Sequence, residues 1–170
     1  MKTKAVKTLQ KFKDDNKMHQ SSKYERKFLS KLEEEFGSEN VIYQHFDSEI
    51  YPYSCDFYIK SLDLWLELNG WWHHGNHPFF GSEDDIKTLS DVKLKYPNQY
   101  ASFEKVWTKS DVLKFDTAKR NKINYLAIYD NGFAYNSDKI CIFKFKSLYS
   151  YNEIINYLKE KLEENNGKAN

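Results

Sequence analysis

The chain has 170 residues, 40% of them hydrophobic and 17% aromatic, which is enough to bury one good core and predicts a single domain over 21–170 behind a basic arm at 1–20. A formal net charge of +1 does not by itself mark a nucleic-acid partner, and two cysteines far apart, Cys55 and Cys141, exclude a disulfide framework and a four-thiolate zinc site. No apolar run approaches the roughly 18 residues that span a bilayer, and the basic N-terminus lacks the apolar stretch of a signal peptide, so the expectation is a soluble, cytoplasmic protein with no membrane partner.

The charge is uneven. Residues 1–31 carry ten Lys/Arg against three Asp/Glu. The arm at 1–20 is polar and poorly periodic, and reads either as a solvated tail or as a phosphate-contacting segment. A helix is predicted from Ser22, where Ser22-x-x-Glu25 fits a capping box and Phe28, Leu29, Leu32 and Phe36 follow with helical spacing up to Gly37. Glu25 falls inside the apolar arc of that helix. It either closes the capping box or points an acid toward the core, and both readings stay open here.

A strand over 41–46 is followed by a hairpin whose two arms flank Lys60 and Ser61. Period-2 alternation places Ser54, Asp56 and Tyr58 on one face of its first arm and Cys55, Phe57 and Ile59 on the other. The second arm has an unbroken leucine face, Leu62, Leu64, Leu66 and Leu68, with Asp63, Trp65, Glu67 and Asn69 opposite. Asp56 and Glu67 therefore become direct or diagonal cross-strand neighbours. Two carboxylates so placed repel unless a cation lies between them or one holds a proton, and a divalent metal would relieve them.

After Gly70 the pattern breaks into WWHHGNHPFF, which holds three of the five histidines. Imidazoles clustered after an acidic strand suit metal or acid/base chemistry, or else cap the sheet edge. Trp71 and Trp72 read as core tryptophans first and as base-stacking or wedging groups second. A helix over 82–94 is predicted with Ser82 as cap and Ile86, Leu89 and Val92 inward, then helical spacing through Tyr100, Phe103, Val106 and Trp107. A further helix from Ser110 carries Asp111, Lys114, Ala118 and Lys122 along one side, with Lys119 and Arg120 nearby. Residues 123–129 and 140–145 are predicted strands around an Asp130-Asn131-Gly132 turn, and 150–164 an amphipathic helix carrying Ile154, Ile155, Leu158 and Leu162.

That order makes an α/β chain, an α+β mixed sheet. With the inward Glu25, Asp56 in a hairpin and Glu67-x-Asn69 in the third strand, it resembles the restriction-endonuclease-like αβββαβ core of the PD-(D/E)XK superfamily, here with an extra C-terminal strand and helix. The usual lysine is absent, because Asn69 stands in its place, so the lysine's role is not carried over. The runs ELNGWWHHGNHPF and VWTKSDVLKFDTAKRNKINYLAIY resemble the very short patch repair (Vsr) nickases and the related phage homing endonucleases, the EDxHD enzymes, over roughly 22–129.

The resemblance implies a catalytic set of Glu25, Asp56, His74 and Asp111, with His73 the close rival of His74 and Asp116 a second register for the late acid. It implies Mg²⁺, with Mn²⁺ as the alternative, held by Asp56 with Glu25 or Glu67, and hydrolysis of phosphodiesters in double-stranded DNA. Lys114, Lys119 and Arg120 are the expected phosphate contacts. If the protein is phage-encoded, its compartment is the host cytoplasm. Two other readings stand beside this one: a degenerate nuclease fold that only binds DNA or protein, favoured by Asn69, and a zinc hydrolase, disfavoured because Gly75 and Pro78 interrupt the helix that a paired-histidine motif needs. Neither oligomeric state nor recognition sequence is legible.

Overall fold

The computed structural model describes residues 23–137 and 141–168, so the basic arm at 1–20 and the predicted cap Ser22 lie outside the described residues. The chain is a mixed α/β structure around a six-stranded sheet whose strands follow chain order: β1 (Val41–Asp47), β2 (Tyr51–Ile59), β3 (Leu64–Asn69), β4 (Tyr125–Tyr129), β5 (Phe133–Asn136) and β6 (Cys141–Lys144). All neighbours are antiparallel except β3 and β4, which run parallel from Trp65↔Tyr125 to Asn69↔Tyr129. A parallel pair needs a long crossover. Here it contains the one-turn helix α2 (Trp71–His74), α3 (Glu83–Lys95), α4 (Pro97–Lys105), a π-helical turn at Val106–Ser110 and α5 (Asp111–Arg120).

The alternation of β3 decides the layers. Its leucines face a core shared with α1 (Lys23–Phe36) and α6 (Tyr151–Lys168), where Phe28, Leu32, Ile154 and Leu158 meet Phe57, Leu66, Leu68 and Ile128. Trp65 faces the other way, into a cluster with Tyr51, Cys55, Tyr125, Ala127, Tyr129 and Ala118 of α5. Gly37 ends α1 in the left-handed region at φ +86, its N–H donating to Glu33 O, as a helix C-terminus of this kind requires.

Four sequence expectations need correction. Strand β5 is extra: four residues between a tight turn and β6 are too short to announce themselves by periodicity. Ile86 is 53% exposed, while Val92 is buried and Leu89 half-buried, so the inward side of α3 is narrower than its apolar residues suggest. Trp71 and Trp72 are not core residues, since Trp71 only packs against the small crossover cluster and Trp72 is 39% exposed. Cys55 does not share a face with Phe57 and Ile59.

Cys55 packs with Trp65, whereas Phe57 packs with the leucines, so alternation slips once between them. The same slip occurs in β1, where Tyr43 packs on Phe57 but His45 lies against Trp65. Pairing skips the step between Tyr43↔Phe57 and His45↔Cys55, and Gln44 adopts φ +54 there. An irregular step of this kind re-aims side chains in both strands. The residue of β2 at that step is Asp56.

Leu66 is fully buried at the centre of the leucine face. Leu66→Ala should cost about 2–5 kcal/mol of unfolding free energy. Urea titration should show a lower midpoint at unchanged slope; an unaltered midpoint would place Leu66 outside the cooperative core.

Candidate active site

Strands β2 and β3 stay paired only from Ile59↔Leu64 to Phe57↔Leu66, and then separate. Leu68 N–H has no strand carbonyl from β2 to meet and donates instead to Asp56 Oδ2 at 2.8 Å. A cavity of about 620 Å³ opens beside this fork, at the C-terminal ends of the parallel strands. Its wall includes Tyr24 and Glu25 of α1, Asp56, Glu67, the turn from Gly70 to His74, and Lys114 of α5. Helix α1 packs on one face of the sheet and α5 on the other, so the fork admits side chains from both.

The acids are strained by one another. Burial, then Glu67, then Glu25 push the Asp56 carboxyl well above the usual carboxylate range, and the hydrogen bond from Leu68 only partly opposes this. Glu67 is 3% exposed and accepts from Lys114 Nζ at 2.7 Å. Glu25 accepts from the Tyr43 hydroxyl at 3.0 Å and lines the cavity, while its expected capping partner Ser22 lies outside the described residues. Asn69 is also 3% exposed, beside Tyr129 of β4.

The histidine side is built by the crossover. Gly70 caps the single turn of α2 and Gly75 ends it at φ +62, with its N–H donating to Trp71 O at 3.2 Å. A side chain at Gly75 would lie 2.6 Å from the Trp107 ring, so only glycine lets this turn rest on that indole. Trp107 is almost fully buried and donates from Nε1 to His77 O at 2.7 Å. Four residues on, past the π-helical turn, Asp111 Oδ2 lies 2.7 Å from His74 Nδ1. The carboxylate fixes His74 with Nδ1 protonated and leaves Nε2 as the second, basic nitrogen.

Of the two late acids, the structure therefore brings Asp111 to the histidine, while Asp116 is exposed and lines a separate pocket with Lys119. His73 lines the cavity but is exposed; burial and the neighbouring His74 lower its pKa, against a smaller opposite pull from Asp111. Lys119 and Arg120 are exposed near the C-terminal end of α5 and do not line the cavity. Lys114 does, although the sequence offers it, like the other two, only as a phosphate contact. Tyr24, whose hydroxyl donates to Leu68 O at 3.3 Å, and Asp130 and Tyr149 also line it, and no sequence motif pointed to them.

Among the described residues no three His, Cys, Asp or Glu side chains are already gathered as a metal centre. The chemistry of the donor set nevertheless fits a hard divalent cation: Glu25 and Glu67 both raise the Asp56 carboxyl, and such crowded oxygens are what Mg²⁺ prefers. No helix of the described residues is long and apolar enough to cross a membrane. Comparison with protein-family models, with curated proteins and with solved structures gave no match.

The Asp56 shift has a definite sign. A carboxyl raised in the folded chain contributes stability in full below its unfolded pKa of about 4, and loses that contribution as pH rises through the folded value. Asp56→Asn removes the titration and keeps an oxygen for Leu68 N–H. In metal-free buffer at about pH 8 its melting temperature should exceed that of the native chain, by about 2–4 °C per kcal/mol relieved, and the gap should close toward about pH 4. A gap independent of pH would mean that Glu67 and Glu25 do not press on Asp56.

Proposed function

We propose that the protein is a metal-dependent endonuclease of restriction-endonuclease-like core that hydrolyses phosphodiester bonds in double-stranded DNA. The observation that carries this reading is the His74–Asp111 pair, 2.7 Å apart, at the rim of a cavity walled by Asp56, Glu67 and Glu25. An oriented imidazole beside crowded carboxylates supplies a base for water and oxygen ligands for Mg²⁺, or Mn²⁺ in its place. A groove next to the cavity, sharing Tyr149 with it, is lined by Lys27, Lys31 and Lys146 with Glu153 as its acid, and its charge suits a polyanion.

Asp56 and Glu25 or Glu67 would hold the cation, which when bound draws charge from the phosphate oxygens. His74 Nε2 takes the proton of the attacking water, whose oxygen forms a new bond to phosphorus as one ester P–O bond breaks; the leaving oxygen is protonated by solvent. Asp111 stabilises the imidazolium that results and keeps the ring in the orientation that receives the proton. The wall formed by Trp71 and Trp72 bounds the space left for the nucleotide.

A second reading, a DNA-binding or interaction module without catalysis, is favoured by Asn69, which is buried beside Tyr129 where the superfamily has its lysine. One experiment separates the two. Purified protein incubated with supercoiled plasmid should convert it to nicked or linear form in Mg²⁺ and not in EDTA; binding without conversion favours the module.

His74→Ala should lower the single-turnover rate at least about 10²-fold, as expected for loss of a general base. His73→Ala and His77→Ala should cost less. A larger loss for His73→Ala would transfer the base to the neighbouring ring and break the significance given to Asp111.

A further inference from the structure

Three lysines to which the sequence assigned no site role line the groove beside the cavity. Lys27 and Lys31 leave α1 on one side, one helical turn apart, and Lys146 comes from the loop between β6 and α6. The groove meets the cavity at Tyr149, which lines both and whose ring centre stands 5.8 Å from that of Tyr24. A chain of phosphates leaving the cavity past these two rings would enter the groove.

The charge of these lysines is not offset by acids. Lys27 Nζ lies 5.7 Å from the centre of the Tyr151 ring, and Lys31 Nζ donates to Asn152 Oδ1 at 3.1 Å, so each ammonium is held by a neutral group. Among the described residues none of the three forms an ion pair, whereas Lys159 and Lys161, farther along α6, are paired with Glu35 and Glu164. The groove's single acid, Glu153, accepts at 3.0 Å from the backbone N–H of Lys146. Its wall therefore holds three cations against one anion. The expected phosphate contacts on α5 compare poorly: the pocket that Lys119 lines also holds Asp111 and Asp116, two anions against one cation, and Arg120 lines neither this pocket nor the cavity.

We propose, on the nuclease reading above, that the substrate duplex lies across the α1 and α6 side of the sheet, where Lys27, Lys31 and Lys146 hold phosphates of the strand that passes Tyr149, in place of Lys119 and Arg120 on the α5 side. One turn of α1 separates Lys27 from Lys31 by about 6 Å, while phosphates of one strand recur about every 3.4 Å of duplex axis, so each lysine takes a phosphate of its own. The contacts are to the backbone. They set where the strand sits and carry no base information.

The test uses the full chain and a short fluorescent DNA duplex of arbitrary sequence, with binding followed by anisotropy in EDTA over a range of salt concentrations. Lys27→Gln and Lys31→Gln should each flatten the fall of log affinity with log salt by about 1, and the triple variant with Lys146→Gln by about 2 to 3, because each phosphate contact contributes about 0.9 to the slope. The native and triple-variant lines should converge toward about 1 M salt, where counterion release no longer drives binding; damage to the fold would instead lower affinity at every salt. The charge-conserving triple variant with Arg at the three positions should recover the native slope. Lys119→Gln with Arg120→Gln should flatten it by less than about 1.

An unchanged slope in the triple Gln variant would overturn the assignment, and so would a larger change in the Lys119 and Arg120 pair. Failure of the nuclease reading has a different signature. A native chain that binds the duplex with a slope set by the three lysines but leaves supercoiled plasmid intact in Mg²⁺ keeps the surface and loses the catalysis. A chain that cuts plasmid while the triple variant retains the native slope keeps the catalysis and loses the surface, and a native chain that neither binds duplex nor cuts plasmid overturns both.

Discussion

The hydrogen bond from Leu68 N–H to Asp56 Oδ2 is the constraint around which the site is built. A buried backbone N–H must find an acceptor, and in a sheet the neighbouring strand normally provides it. Here the β2–β3 ladder ends at Phe57↔Leu66, and a side chain takes the place of the missing strand carbonyl. β3 continues to Asn69 with support from its parallel neighbour β4, so the fork can open without leaving the strand unpaired on both sides. The same bond fixes one carboxylate oxygen of Asp56. That fixation brings the acid close enough to Glu67 and Glu25 for its charge to be opposed, which is tolerable only where a proton or cation offsets it.

The fork also explains why charged groups from opposite sides of the sheet reach one cavity. Glu25 comes from α1, over the leucine core, and Lys114 comes from α5, over the aromatic cluster around Trp65. A closed sheet would stand between these two layers. The slip in alternation at Gln44 and Asp56 lies next to the site: it turns β1 and β2 at the step where β3 lets go.

Most of the frame was legible because it rests on periodicity. The leucines of β3, the α1 apolar residues up to Gly37 and the terminal helix residues Ile154, Ile155 and Leu158 occupy the places their spacing predicts. The nearness of Asp56 to Glu67 was legible for the same reason in part, since an even loop preserves parity from Ile59↔Leu64 up to Phe57↔Leu66, the last pair before the strands separate. The position of Cys55 was not, because a positive φ at Gln44 in the neighbouring strand leaves no mark on the sequence of β2. Neither was the attachment of Lys114 to Glu67: the residues are 47 positions apart, and a lysine near an acid in space looks like any solvated lysine in sequence. Pairing His74 with Asp111 came from family resemblance, and the 2.7 Å contact gives that pairing a geometry.

The crossover that separates β3 from β4 does more than return the chain to the parallel edge. Val92, Phe103 and Trp107 form a core of their own, distinct from the two sheet cores, and Trp71, Phe79, Leu89 and Tyr100 pack around it. The loop before α3 is tied by Asp85, whose Oδ2 accepts from Phe80 and Ser82 N–H while Ser82 caps the helix in return. This small core holds Gly75 against Trp107 on one side and starts the π-helical turn that delivers Asp111 on the other. The His74–Asp111 pair is therefore held by the crossover, and the Asp56 and Glu67 acids by the sheet. His74 and the acids are thus held by different cores, and the distance between them is set by how the crossover seats on the sheet, where Ala118 and Phe115 of α5 join the cluster around Trp65.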